Sequence, residues 1–193
     1  MGSALRILRT FSEAEYLELE RKATFKSELI AGQIYAMAGA SPAHAAITAN
    51  VIAIFVSHLK GKPYTVYTND LKVKINRGGD YYYPDLTIVC GPPIFHDEYQ
   101  DVLVNPTVIV EVLSPSTEAD DRGRKWLRYQ QIEGLTDYLM VSQSEPLLEH
   151  YSRQTDGGWH YESSANVTES LTIRSIDCQL SLADVYDKVN FSA

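Results

Sequence analysis

The chain has 193 residues, 45% of them hydrophobic, which suits one domain with a full core that needs no disulfide or structural metal. Its net charge of −8 excludes a broad electrostatic grip on nucleic acid, so any such contact must be local; the acid excess is ordinary for a cytoplasmic protein, and a clustered site for divalent cations would account for part of it. Cys90 and Cys178 stand far apart and fit a reducing cytoplasm, no apolar leader or 18-residue apolar span suggests secretion or a membrane, and Met1-Gly2-Ser3 lacks the myristoylation pattern because Arg6 replaces the required Ser or Thr.

In chain order, "FSEAEYLELERK" opens with Ser12 and has Glu15 three residues on, a capping box that predicts a short amphipathic helix ending before Phe25. "SELIAGQIYAMAG" predicts two short strands around Ala31-Gly32, with Glu28 on the first. "SPAHAAITANVIAIFVSHLK" has Ser41 as cap and Pro42 at the first helical position, then Ile47, Val51, Ile54, Phe55 and Leu59 at helical spacing, so residues 42–60 should form a core-packing helix. Tyr64–Thr68, Leu71–Ile75 and Pro84–Cys90 read as extended segments in an antiparallel arrangement, separated by turns at Asn69-Asp70 and Gly78-Gly79-Asp80. After the loop "GPPIFHDEYQDVLVNP" comes a strand over Thr107–Leu113. A second long helix should run from Thr117 to Glu133, capped by Ser116 or Thr117 and stopped by Gly134, followed by a strand over Asp137–Ser142. This order is an α/β layout. From residue 146 onward a hairpin about "TDGG" and further strands should extend the sheet, with a short helix over Leu182–Val189. Without repeats or linkers, residues 1–193 read as one domain with a core over about 25–145 and a C-terminal β-extension over about 146–193.

Within "VIVEVL" the β-branched run around Glu111 predicts burial on both faces, and an ionised carboxylate there demands compensation by a metal ion, by a cation from elsewhere in the chain, or by escape to water at the strand's end. Asp85 follows Pro84 at the head of "DLTIVC", where a proline does little harm; it is either a turn residue or a partner to Glu111 at a shared sheet edge. Two carboxylates, the backbone carbonyl of Val112 and several waters would suit Mg²⁺ or Mn²⁺. Arg122, Lys125, Tyr129 and Ile132 form one helical stripe beside Trp126. Lys125 is then either a lysine snorkelling to water, paired with Asp121, or the cation that Glu111 needs. Glu28 is an auxiliary acid or a partly exposed strand residue, and His44 sits on the inward edge of its helix, where a satisfied core-edge histidine is favoured over a catalytic one.

The stretches "SELIAGQIYAMAGASPAH", "YYYPDLTIVCGPP", "NPTVIVEVLSPSTEADDRGRKWLRYQ" and "LTDYLMV" resemble the Uma2-like family of the PD-(D/E)XK nuclease superfamily. The resemblance implies a restriction-endonuclease-like mixed β-sheet flanked by helices, with Asp85 as the PD aspartate and Glu111 as the (D/E)XK acid. Leu113 occupies the position of the pattern's lysine. In relatives that lysine often migrates to the next helix, which makes Lys125 its replacement. Implied with it are metal-dependent phosphodiester hydrolysis, DNA as partner, a homodimer if both strands of a duplex are cut, and Glu28 as an acid ahead of the PD element. Two other readings stand beside it: a dimeric module that keeps the fold without catalysis, and a two-carboxylate sugar hydrolase.

Overall fold

The computed structural model describes residues 9–75 and 78–191; Arg6 and the Met1-Gly2-Ser3 opening lie outside them. Helix α1 (Glu13–Glu20) begins at Ser12, whose hydroxyl accepts from the Glu15 amide while the Glu15 carboxylate accepts from the Ser12 amide, the reciprocal cap expected. Ala31 and Gly32 both take left-handed backbone angles, φ 50° and 77°, and so close a two-residue hairpin between β1 (Ser27–Ile30) and β2 (Gln33–Ala36). Helix α2 (Pro42–His58) starts at Ser41, whose hydroxyl accepts from the His44 amide, and buries Ile47, Val51 and Phe55.

Two mixed sheets carry the fold. The larger has the order β11-β10-β9-β8-β6-β3, formed by β3 (Tyr64–Thr68), β6 (Leu86–Cys90), β8 (Val108–Leu113), β9 (Asp137–Ser142), β10 (Leu148–Arg153) and β11 (Trp159–Ser164). β8 and β9 run parallel, whereas β6 is antiparallel to both β8 and β3. The smaller sheet has the order β2-β1-β5-β4-β7, with β4 (Lys72–Lys74), β5 (Tyr81–Tyr82) and β7 (Val102–Leu103).

The three extended segments therefore do not share one arrangement. Tyr64–Thr68 pairs antiparallel with Leu86–Cys90 as expected, but Lys72–Lys74 leaves for the other sheet, antiparallel to β5 and parallel to β7. Gly78 and Gly79, with φ of 120° and 69°, let the chain reverse after Ile75 so that its amide donates to the Asp80 carbonyl, and the returning Tyr81-Tyr82 captures β4 locally.

The expected helix over 117–133 is shorter and interrupted. It comprises α3 (Glu118–Asp120), a π-type turn over Asp121–Lys125 and α4 (Trp126–Tyr129). Neither Ser116 nor Thr117 caps it: both hydroxyls turn to Ser114 Oγ, 3.0 Å away in each case, and the Thr117 and Glu118 amides donate to the Ser114 carbonyl. Nor does Gly134 stop it. The Arg153 guanidinium donates to the carbonyls of Gln130, Ile132 and Leu135, satisfying the chain as it leaves the helix.

One core packs α2 against Leu86, Ile88, Val108, Val110 and Val112; the opposite face of the large sheet packs Ile109, Leu113 and Met140 against Tyr129, Ile132 and Leu135. The "TDGG" hairpin extends the large sheet as β10 and β11. The remaining strands do not: β12 (Ser170–Ile173) and β13 (Cys178–Ser181) pair only with each other among the described residues, and the closing helix is the single turn α5 (Leu182–Val185). Leu171, Ile173, Leu180 and Leu182 join the α2 core, so burial against that helix, rather than strand pairing, places the tail. No helix among the described residues is long and apolar enough to cross a membrane.

Candidate functional site

The strands of interest are neighbours: Leu86 pairs with Val110, which brings Asp85, one residue before β6, level with the Glu111 end of β8. Asp85 Oδ2 accepts from the Val112 amide at 2.8 Å and lies 3.2 Å from His44 Nε2 at the start of α2. Glu111, 3% exposed, stands level with Asp85 on the neighbouring strand, and its Oε1 accepts from Lys125 Nζ at 3.1 Å and from Tyr129 Oη at 2.8 Å. The remaining oxygens of Asp85 and Glu111 take no hydrogen bond among the described residues.

Lys125 is held from three directions. Besides Glu111, its ammonium lies 3.1 Å from Asp121 Oδ1 and 3.6 Å from Glu28 Oε1, which also accepts from the Tyr83 amide at 3.0 Å. The π-type turn makes this possible by directing both Asp121 and Lys125 inward. Asp121 Oδ1 is near Lys125 but poorly aligned to accept from it, and it remains a buried oxygen with no hydrogen bond. At 7% exposure Lys125 is not a snorkelling surface lysine, and at 8% Glu28 is not a partly exposed strand residue.

Burial drives the Glu111 carboxyl well above its ordinary range; Lys125 opposes that shift, while Asp121, Asp85 and Glu28 add to it. Burial likewise raises Glu28, against the pull of Lys125. For Lys125 burial acts downward, but Glu111, Glu28 and Asp121 outweigh it and hold the ammonium charged. His44 follows the same logic: burial works against its charge, and Asp85 overcomes it and raises the imidazole.

Glu111, Glu28 and Asp121 thus face one lysine, with Asp85 beside Glu111 and paired to His44 at the edge, so four buried or nearly buried carboxylates meet one ammonium and one imidazole, a balance that suits a further cation. Among the described residues no three His, Cys, Asp or Glu side chains gather closely enough to hold a metal, so a cation here would rest on Asp85, Glu111 and a backbone carbonyl such as that of Val112. The site opens into a cleft of about 650 Å³ whose lining includes Glu28, Tyr35, Asp85, Glu111, Arg124 and Lys125. Leu113, the position of the lysine in the motif, is a core residue beneath it.

The structure brings together all of the expected side chains, Asp85, Glu111, Lys125 and Glu28. It adds three that sequence reasoning did not assign to the site. Asp121 and Tyr129 carried a signal, standing four residues to either side of Lys125 on one helical stripe. His44 at the inner edge of its helix lies beside Asp85, a partner that nothing local to that helix indicated.

A family model named Uma2 and described as "Putative restriction endonuclease" matches residues 13–183. A Synechocystis sp. protein described as uncharacterized is 34% identical over 183 residues, 93% of each chain, and a second from the same organism is 34% identical over 151 residues, 78% of this chain and 85% of its own. The fold matches a crystal structure from Anabaena variabilis, described as "a putative nuclease belonging to DUF820", with a TM-score of 0.76 and 19% identity, covering 95% of this chain and all of that one. A family match across most of the chain, with relatives that align along its length, establishes that the chain belongs to the Uma2 family.

Proposed function

We propose that the chain is a metal-dependent nuclease that hydrolyses phosphodiester bonds of DNA. The observation that carries this reading is the excess of buried carboxylates over cations at the floor of an open cleft. Asp85 and Glu111, with the Val112 carbonyl, are the residues that would hold Mg²⁺ or Mn²⁺. Such a cation, when bound, polarises a phosphate oxygen and makes water a better nucleophile at neutral pH.

The remaining work falls to the chain's own groups. Tyr129 Oη and Lys125 Nζ fix one oxygen of Glu111 and leave the other for a ligand. The Val112 amide does the same for Asp85. Lys125, kept charged by its three carboxylates, is placed to offset negative charge that grows on the phosphate or to orient the attacking water. Glu28 steadies Lys125 and is itself anchored by the Tyr83 amide.

Isothermal calorimetry and a plasmid cleavage assay test the reading together. Wild type should bind Mn²⁺ and nick or cut DNA only in its presence, whereas the folded Asp85→Ala, Glu111→Ala double variant should do neither. Equal Mn²⁺ binding by the two would remove the assignment, and binding without cleavage of any DNA would leave the fold as a non-catalytic module. Cutting both strands of a duplex would call for a homodimer, which sedimentation velocity measures directly.

A further inference from the structure

The hairpin that carries Glu28 also carries Tyr35, and the two are register partners across β1 and β2, so both side chains rise from the same face. Glu28 is buried at the cleft floor, whereas Tyr35 is 44% exposed at its mouth, on the edge strand of the small sheet. Arg124 stands over it, with Cζ 5.6 Å from the ring centroid. Arg124 is the outward-facing neighbour of Lys125, so one helical turn supplies a charge to the floor and another to the lip.

Among the described residues the cleft is lined by few cations: Lys125 is committed to the floor carboxylates, and Arg124, exposed and paired with Asp120 at 2.6 Å, stands at the lip. The rest of the rim is neutral: Ser41, Ser114, Ser116 and Gln143 line it, with Ser41 donating to Gln143 at 2.7 Å. A duplex is gripped mainly through phosphate contacts from unpaired lysines and arginines on flanking surface. A single strand offers unpaired bases as well, and these bind aromatic rings in a way that needs no net positive charge. At about 650 Å³ the cleft is in the range that takes a small-molecule-sized group such as one nucleotide.

We propose that the cleft takes single-stranded DNA, one nucleotide at a time, with the base stacked on Tyr35 and the adjoining phosphate reached by Arg124. This deepens the nuclease reading and rests on it. Tyr35 and Arg124 are positioning residues for the substrate and lie outside the catalytic group.

The test is fluorescence anisotropy with a short labelled oligonucleotide, single-stranded or annealed, in Ca²⁺ to permit binding. Wild type should bind the single strand roughly tenfold or more tightly than the duplex, Tyr35→Ala should lose about that factor, and Tyr35→Phe, which keeps the ring, should retain it. A 2-aminopurine base in the strand should be quenched on binding to wild type and to Tyr35→Phe, but not to Tyr35→Ala. The salt dependence should be shallow, with a log–log slope near −0.7 that vanishes in Arg124→Ala. Duplex bound as tightly as single strand, or Tyr35→Ala binding like wild type, would overturn the proposal. Cleavage of the same oligonucleotides in Mn²⁺ reads the parent assignment separately. Tyr35-dependent binding without cleavage sinks the nuclease reading and keeps the cleft assignment; Tyr35-independent cleavage of duplex does the reverse.

Discussion

Glu111 lies in a strand buried along all six residues, and the chain tolerates it there because Lys125 and Tyr129 share one of its oxygens. Methionine at position 125 keeps most of the stem volume, but the ammonium it replaces is itself buried against Glu111, Asp121 and Glu28. Removing it leaves unpaired buried charge, and Lys125→Met should cost about 3–5 kcal/mol in urea unfolding. Adding Glu111→Gln should recover part of that loss, since the neutral amide needs no cation. Additive effects of the two substitutions would show that the residues do not interact. Mn²⁺-dependent cleavage should fall by on the order of 10²–10³ in folded Lys125→Met and should not return in the double variant.

The helical segment over 118–129 shows how an element adapts to its site. A regular α-helix was the natural expectation from a stripe of Arg122, Lys125 and Tyr129, but the π-type turn over Asp121–Lys125 widens the backbone where two charged side chains point inward. Gly123 sits in that turn, and a Cβ built on it meets nothing within 4 Å. Its flexibility therefore serves no close approach, and Gly123→Ala should stabilise the protein by about 0.5–1 kcal/mol, a rise of roughly 2 °C in Tm by differential scanning calorimetry. A lower Tm would mean that the turn depends on backbone freedom an alanine denies it.

At the scale of the whole molecule, the tail is part of the core rather than an appendage. Leu171, Ile173, Ile176, Leu180, Leu182 and Val185 pack with α2 and the large sheet. The tail is also tied by polar contacts, since Asp137 accepts from His150 Nε2 at 2.7 Å with one oxygen and from Ser175 Oγ with the other. Each fully buried aliphatic side chain contributes about 1.5–3 kcal/mol, so losing six exceeds most or all of the ~5–15 kcal/mol that stabilises a typical domain. A chain ending at residue 165 should therefore lack the near-ultraviolet circular dichroism of a packed core and show no cooperative thermal transition. A cooperative transition in that fragment would show that the tail is dispensable.

By itself the sequence determined the features that depend on near neighbours along the chain. The caps at Ser12 and Ser41, the Ala31-Gly32 hairpin and the "TDGG" hairpin all follow from interactions within a few residues or from a period of two. Glu111 was legible for the same reason, since a carboxylate among β-branched residues stands out against local pattern, whereas the local pattern left Asp85 open between a turn residue and a partner to Glu111 and only the family resemblance singled it out. Only the tertiary structure decided the departure of Lys72–Lys74 to a second sheet, the π-type turn, the meeting of Glu28 with Lys125 and the place of His44 against Asp85. Apart from the turn, these join residues that are distant in sequence. Apolar burial, which drives such meetings, is non-directional and leaves no periodic trace of which distant segment will supply the partner.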